Sequence, residues 1–260
     1  MKKYLKFWWI SVISSTQIAL SSRFSAIIFL IGKFIRFTMF LVLIFIIASQ
    51  TKLIAGYNLW QMVLFYATFN LIDTGAQFLL REVYRFRSYV VSGDFDYFLT
   101  KPISPLFRSL FAGSDVLDLP LLTASILLIV YTATKIGPIS LLSVITYTLL
   151  IISALVIAIS FHIFVISIGV MTTEVDNTIM LYRDITQMGR FPVDIYREPI
   201  SWFITFVIPV GVMMTFPAKS LLGELSIGLL ILSPLIATSF LLLSIKFWKF
   251  SLSRYSSASS

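Results

Sequence analysis

Polar side chains recur at helical spacing inside the most apolar runs of this chain. Asn70, Asp73 and Gln77 fall on one side of a single run, with Arg81 one turn further on. Lys33 and Arg36 stand a turn apart in an earlier run, and Arg183 adjoins Asp184 in a later one. Amides and charges at this spacing pair with one another or contact a polar cargo; they are not an arrangement for breaking bonds. At a rise of about 1.5 Å per residue, Asp73 lies roughly 10–12 Å from the end of its run, and Lys33 and Arg36 bracket a similar depth. An ion pair between these two runs is therefore expected, either as a structural bridge or as a gating or substrate contact. The lone His162, in ISFHIF, reads as a packed or snorkelling residue, with a proton relay as the lesser alternative.

Other chemistries are excluded. Cysteine is absent, so there is no disulfide and no thiolate metal site, and one histidine cannot build a His-rich metal or acid–base cluster. The chain contains no G-x-x-x-x-G-K-[ST] phosphate loop, no H-E-x-x-H and no G-x-S-x-G. No catalytic or metal-ligating residue is expected, and the chain is not itself an ATPase.

The elements that position these residues follow from composition. With 58% hydrophobic and 12% charged residues and a mean hydropathy of +0.94, the sequence is too apolar for a soluble domain. Its runs are continuous and near the ~20 residues that cross a bilayer, unlike the alternating segments of a β-barrel. An all-α polytopic membrane protein is expected, with spans at 26–48, 60–80, 118–136, 139–171 and 225–247. A sixth crossing must lie between 172 and 224. Hydropathy favours 200–216 there over the half-polar 177–191. The N-terminal 1–23 has Lys followed by apolar residues, like a signal peptide, but no clear cleavage site. Leu5, Trp8, Trp9, Val12, Ile13 and Leu20 fall on one side of it, which reads as an interfacial amphipathic helix, or less well as a retained signal anchor.

With six spans and the N-terminus inside, Lys and Arg divide 12 to 5 in favour of the cytoplasm, counting Lys52, Lys135, Lys219, Arg190 and Arg197 outside. Both termini are then cytoplasmic. The net charge of +8 is read as this bias plus contact with anionic lipid, rather than nucleic-acid binding. The stretch GDFDYFLTKPISP (93–105) falls on the cytoplasmic side. Ser92 or Asp94 can cap a two-turn helix there, and Pro102 stops it. Phe95, Phe98 and Leu99 share one face at i, i+3, i+4 spacing, suited to the lipid interface or to a groove on a partner protein.

Three stretches decide further: VSGDFDYFLTKPISPLFRSL (91–110), GRFPVDIYREPISWFITFVIPVGVMMTFPAKSLLG (189–223) and FWKFSLSRYSSASS (247–260). They resemble the permease subunits of ABC-2-type exporters, most closely a bacterial subfamily long described as a domain of unknown function. The resemblance implies a single permease domain with six spans in the bacterial inner membrane. It implies a coupling helix at 92–101 that docks into a cytoplasmic ATPase, with Phe95, Phe98 and Leu99 inserted and Gly93, Asp94, Asp96 and Lys101 around them. It also moves the fifth span to 177–191 and makes 200–217 a re-entrant outer segment. Arg183 and Asp184 then lie in the bilayer, where they need an aqueous lining or a partner chain. Two permeases, identical or related, would join two ATPase subunits. ATP and Mg would be held by those subunits, with no cofactor on this chain. An ion-coupled secondary carrier, which would favour an internal repeat not seen here, and a non-transporting scaffold are the alternatives.

Overall fold

Each long apolar run folds into a helix because, away from water, only helical backbone satisfies its own polar groups. The computed structural model describes residues 2–51 and 53–255. Met1, Lys52 and 256–260 of the tail lie outside the described residues. Among the described residues the only β pairing is an isolated bridge between Ile54 and Tyr57.

The helices are α1 (Lys2–Ser21), α2 (Arg23–Gln50), α3 (Leu59–Leu80), α4 (Phe86–Val91), α5 (Asp94–Thr100), α6 (Pro105–Phe111), α7 (Leu119–Ile136), α8 (Leu141–Thr172) and α9 (Val175–Gln187). A bent pair follows, α10 (Ile200–Val207) and α11 (Gly211–Leu221), then α12 (Ile227–Ser253). Local chemistry sets their starts. Asn58 and Gln61 form a reciprocal capping box at α3. Ser140 and Ser226 accept from Ser143 N and Leu229 N at α8 and α12. Pro105 opens α6 behind the Ser104 cap.

Helices α3 and α8 make the core; α7 packs along α3 and α12 along α8. The buried stripe of α12, Ser233, Ala237, Ser244, Trp248 and Ser251, is mostly small, which permits close approach without a hydrophobic driving force. The hydroxyls of Ser233, Ser244 and Ser251 donate to carbonyls of their own helix. By contrast, α2 buries only Ala26, Phe37 and Ile44 and turns Ile31, Ile35, Met39 and Ile46 outward.

Among the described residues five helices are long and apolar enough to cross a membrane, or six if the bent pair counts as one span. Helix α9, 13 residues and about 20 Å long, is too short to do so alone. Its surroundings show where it leads. Asp176 at its start pairs with Arg87 of α4, 3.5 Å away, whereas Asp194 beyond its end accepts from Tyr57 Oη at 3.1 Å, at the opposite end of α3. Residues 175–195 therefore join the two ends of the bundle. The bent pair does not. It starts just after Asp194, turns by 79° and returns, with Lys219 on Asp194 at 2.7 Å and Ser220 donating to Thr146 Oγ1 at 2.6 Å. Its backbone passes through π turns at 203–207 and 211–215. Gly189 and Gly211 let it approach: a Cβ on Gly189 would lie 2.7 Å from Met214 Cγ, and one on Gly211 2.6 Å from Thr205 Oγ1.

Helix α1 lies against the α4–α6 end. Trp8 Nε1 donates to Ser114 Oγ at 3.2 Å, Tyr4 stacks edge-on to Phe107 at 4.9 Å, and Lys3 donates to the Pro102 carbonyl. Leu5, Trp9, Ile13 and Leu20 face away from the protein. Trp8 and Val12, expected on that same face, are half-buried: the indole N–H of Trp8 finds its acceptor on the protein instead of in the interface.

Candidate functional site

Two places gather the polar residues singled out above: the short helix α5 and a basic cleft between α2, α3 and α9. Gly93 starts α5 with φ +81, a left-handed conformation that suits glycine. Ser92 Oγ donates to Asp94 Oδ2 at 2.7 Å, and Asp94 and Asp96 both sit in the first turn, where the helix dipole favours them. Lys101 follows the last turn, exposed.

The aromatic face of α5 points inward. Phe95 is 0% and Phe98 3% exposed, so these rings do not present the outward face expected from spacing. Phe95 is wedged among Phe86 of α4 (5.3 Å), Trp248 of α12 (6.2 Å) and Tyr255 (5.1 Å). Phe98 packs on Tyr89 at 5.0 Å and lies 3.9 Å beneath the Arg108 guanidinium. The physical reason is local: the chain folds 81–118 back over the ends of its own helices, which supplies an apolar seat that these rings fill. Tyr255 Oη donates to Asp96 at 3.0 Å; burial, and then this bond, push the phenol up to about 12. What α5 leaves outside is Tyr97, 65% exposed, and Leu99, 42% exposed, flanked by Asp94 and Lys101. Glu82, buried under this layer, accepts from Tyr89 Oη at 2.7 Å.

The cleft is a cavity of about 300 Å³ lined by Phe29, Lys33, Arg36, Gln77, Arg81 and Arg183, with Gly32 at its edge. Lys33 does not pair with Asp73. Its ammonium forms a buried ion pair with Asp118, just before α7, with side chains 9% and 1% exposed. Arg81 lies 3.5 Å from Asp115. Two carboxylates in GSDVLDLP thus take the nearer cations, because the turn ahead of α7 folds against α2 and α3. Asp73 accepts from Gln77 Nε2 at 2.8 Å and feels the guanidiniums of Arg36, Arg183 and Arg190, none of which comes within the 4 Å of an ion pair among the described residues. Asn70, expected beside Asp73, donates to the Tyr66 carbonyl of its own helix at 2.8 Å. Asp184 is exposed and lines no part of the cleft. His162 is packed, its Nδ1 donating to the Ala158 carbonyl at 2.8 Å, with Tyr182 4.9 Å away.

A short helix seated on the bundle end and a charged cleft within it are thus carried by one set of apolar helices. The family model described as ABC-2 family transporter protein matches residues 34–259. The chain belongs to the ABC-2 transporter family. No curated protein and no solved structure matched the chain.

As an ABC-2 family member the chain is a membrane-embedded permease-type component of a transporter, and the ABC-2 family works with ABC ATPase partners. Sequence reasoning missed Asp115, Asp118 and Arg190. The first two had a readable signal, a pair of acids three residues apart at the mouth of an apolar span; Arg190, seated between Phe40 (5.3 Å) and Phe69 (5.8 Å), had none.

Proposed function

We propose that this chain is the membrane subunit of an ATP-driven exporter, paired with an identical or related chain and driven by two copies of a separate cytoplasmic ATPase that holds ATP and Mg. The α4–α6 end faces the cytoplasm with both termini, 175–195 is the fifth crossing, and the bent pair re-enters from outside. The positive charge of that end, with Arg85, Arg87, Lys101 and Arg108, supports this orientation.

The observation that carries the mechanism is the seat of Phe95. A ring wedged between α4, which continues from α3, and the end of α12 makes α5 part of the bundle rather than a free arm. A push on the exposed edge, Tyr97 and Leu99, passes directly into two membrane helices. Packed cores do not deform continuously, so such a push shifts the helices between discrete arrangements. The test is reconstitution with the cognate ATPase. Leu99→Asp and Tyr97→Asp are expected to lower permease-stimulated ATP hydrolysis about tenfold or more, with thermal stability within about 0.5 kcal/mol of the parent. Undiminished stimulation in both variants refutes the coupling role.

A further inference from the structure

The cleft between α2, α3 and α9 holds more positive charge than the protein neutralises. Lys33 and Arg81 have their own carboxylates, Asp118 and Asp115. Arg36 and Arg183 share the influence of one, Asp73, with Arg190, and Asp73 is already engaged by Gln77. Cations at this depth in an apolar bundle are costly unless an anion or water meets them. Arg36 is three residues beyond Lys33 on α2, Arg183 projects from α9, and both line the same cavity of about 300 Å³, which opens to one side of the chain. That volume corresponds to roughly ten waters, enough for a small anionic group. One wall is apolar, the ring of Phe29. The pocket next to it shares Phe29 and Arg81 and runs on toward Ser15, Ala19 and Ser114.

From this geometry we infer that the cleft binds the anionic group, a phosphate or a carboxylate, of the molecule this permease handles, with Arg36 and Arg183 as the binding pair. Guanidinium groups suit such an anion: they stay charged, present a planar fork to two oxygens, and are less strongly hydrated than an ammonium. Lys33 and Arg81 are held and largely neutralised by their carboxylates, which leaves Arg36 and Arg183 to meet the ligand. That the anion belongs to a transported molecule rests on the permease reading; the binding site itself stands on the cleft.

The experiment titrates purified protein in maltoside micelles by calorimetry, without nucleotide or ATPase. The titrants are dihexanoyl phosphatidic acid, net-neutral dihexanoyl phosphatidylcholine and inorganic phosphate. Phosphatidic acid is expected to bind at least tenfold more tightly than phosphatidylcholine, and the double variant R36Q/R183Q to lose about tenfold or more. R36K/R183K, which keeps the charge but not the planar fork, is expected to fall between the parent and R36Q/R183Q, and K249Q, which neutralises an exposed lysine on α12, to retain all of the affinity. Phosphate binding as tightly as phosphatidic acid assigns the site to a soluble anion; binding of phosphatidic acid alone assigns it to an amphiphile. If R36Q/R183Q does not fold, the parent alone decides: its affinity for phosphatidic acid must fall as salt is raised, since ion pairing is screened. No binding of either anion, unchanged binding in R36Q/R183Q, or salt-independent binding overturns the inference. None of these outcomes touches the coupling test at Tyr97 and Leu99.

Discussion

Removing the carboxylate of Asp118 tests how the membrane charges are matched. The Lys33–Asp118 pair is almost fully shielded, at 9% and 1% side-chain exposure. An isolated member of such a pair keeps its desolvation cost and loses its attraction, a penalty of about 3–5 kcal/mol. Asp118→Asn and Lys33→Met are each expected to lower stability by about that amount, roughly 6–20 °C in Tm for a chain of this length. The apolar double variant K33M/D118L removes both charges and is expected to return to within about 1 kcal/mol of the parent. The five tryptophans report unfolding by intrinsic fluorescence in maltoside micelles. Lys33→Met combined with Asp73→Asn is expected to be additive, because those two side chains do not pair. An Asp118→Asn protein melting within about 2 °C of the parent, which is under 1 kcal/mol at this size, or K33M/D118L showing the summed loss of the singles, refutes the pairing.

Three further outcomes follow from the layer around α5. Phe95→Ala empties a fully buried seat and is expected to cost about 3–5 kcal/mol, read as a lower Tm and faster tryptic cleavage after Arg108. Gly113→Ala puts a Cβ 2.3 Å from Glu82 Oε2 and 3.3 Å from Arg85 Nη1; about 1–3 kcal/mol of destabilisation is expected, measured by the same melt. Tyr255→Phe removes the donor to Asp96 and is expected to cost about 1 kcal/mol, while Tyr97→Phe, at an exposed ring, leaves the melt unchanged.

The long helices were legible from their continuous apolar runs, and capping residues set where they begin. Ser140, Ser226 and Asn58 stand where α8, α12 and α3 begin. The region 172–224 was harder because its most apolar part forms the bent pair, while the stretch joining the two ends of the bundle carries Asp176, Arg183 and Asp184. Local hydropathy does not register that α9 packs against α8 and buries Val175 and Ile179, with Arg183 lining the cleft. The helix at 94–100 was readable from Ser92 or Asp94 as a cap and Pro102 as a stop, although Gly93 is the residue that starts it, and the direction of its aromatic face was not readable. Spacing places Phe95 and Phe98 together; only the tertiary seat formed by Phe86, Trp248 and Tyr255 decides that they face inward. The ion pairs failed for a related reason. Depth matched Asp73 to Lys33 and Arg36, yet the turn before α7 brings Asp118 closer.

A chain without cysteine allows one residue at a time to report its neighbour. Tyr97→Cys, labelled with a benzophenone maleimide in native membranes and photolysed, is expected to yield a covalent adduct with a protein carrying a nucleotide-binding phosphate loop. Leu53→Cys, at the opposite end of the bundle and equally accessible, is expected to yield none. An adduct with such a subunit at 53 but not at 97, or with none at either position, contradicts the assignment of α5 as the place where ATP hydrolysis enters the membrane.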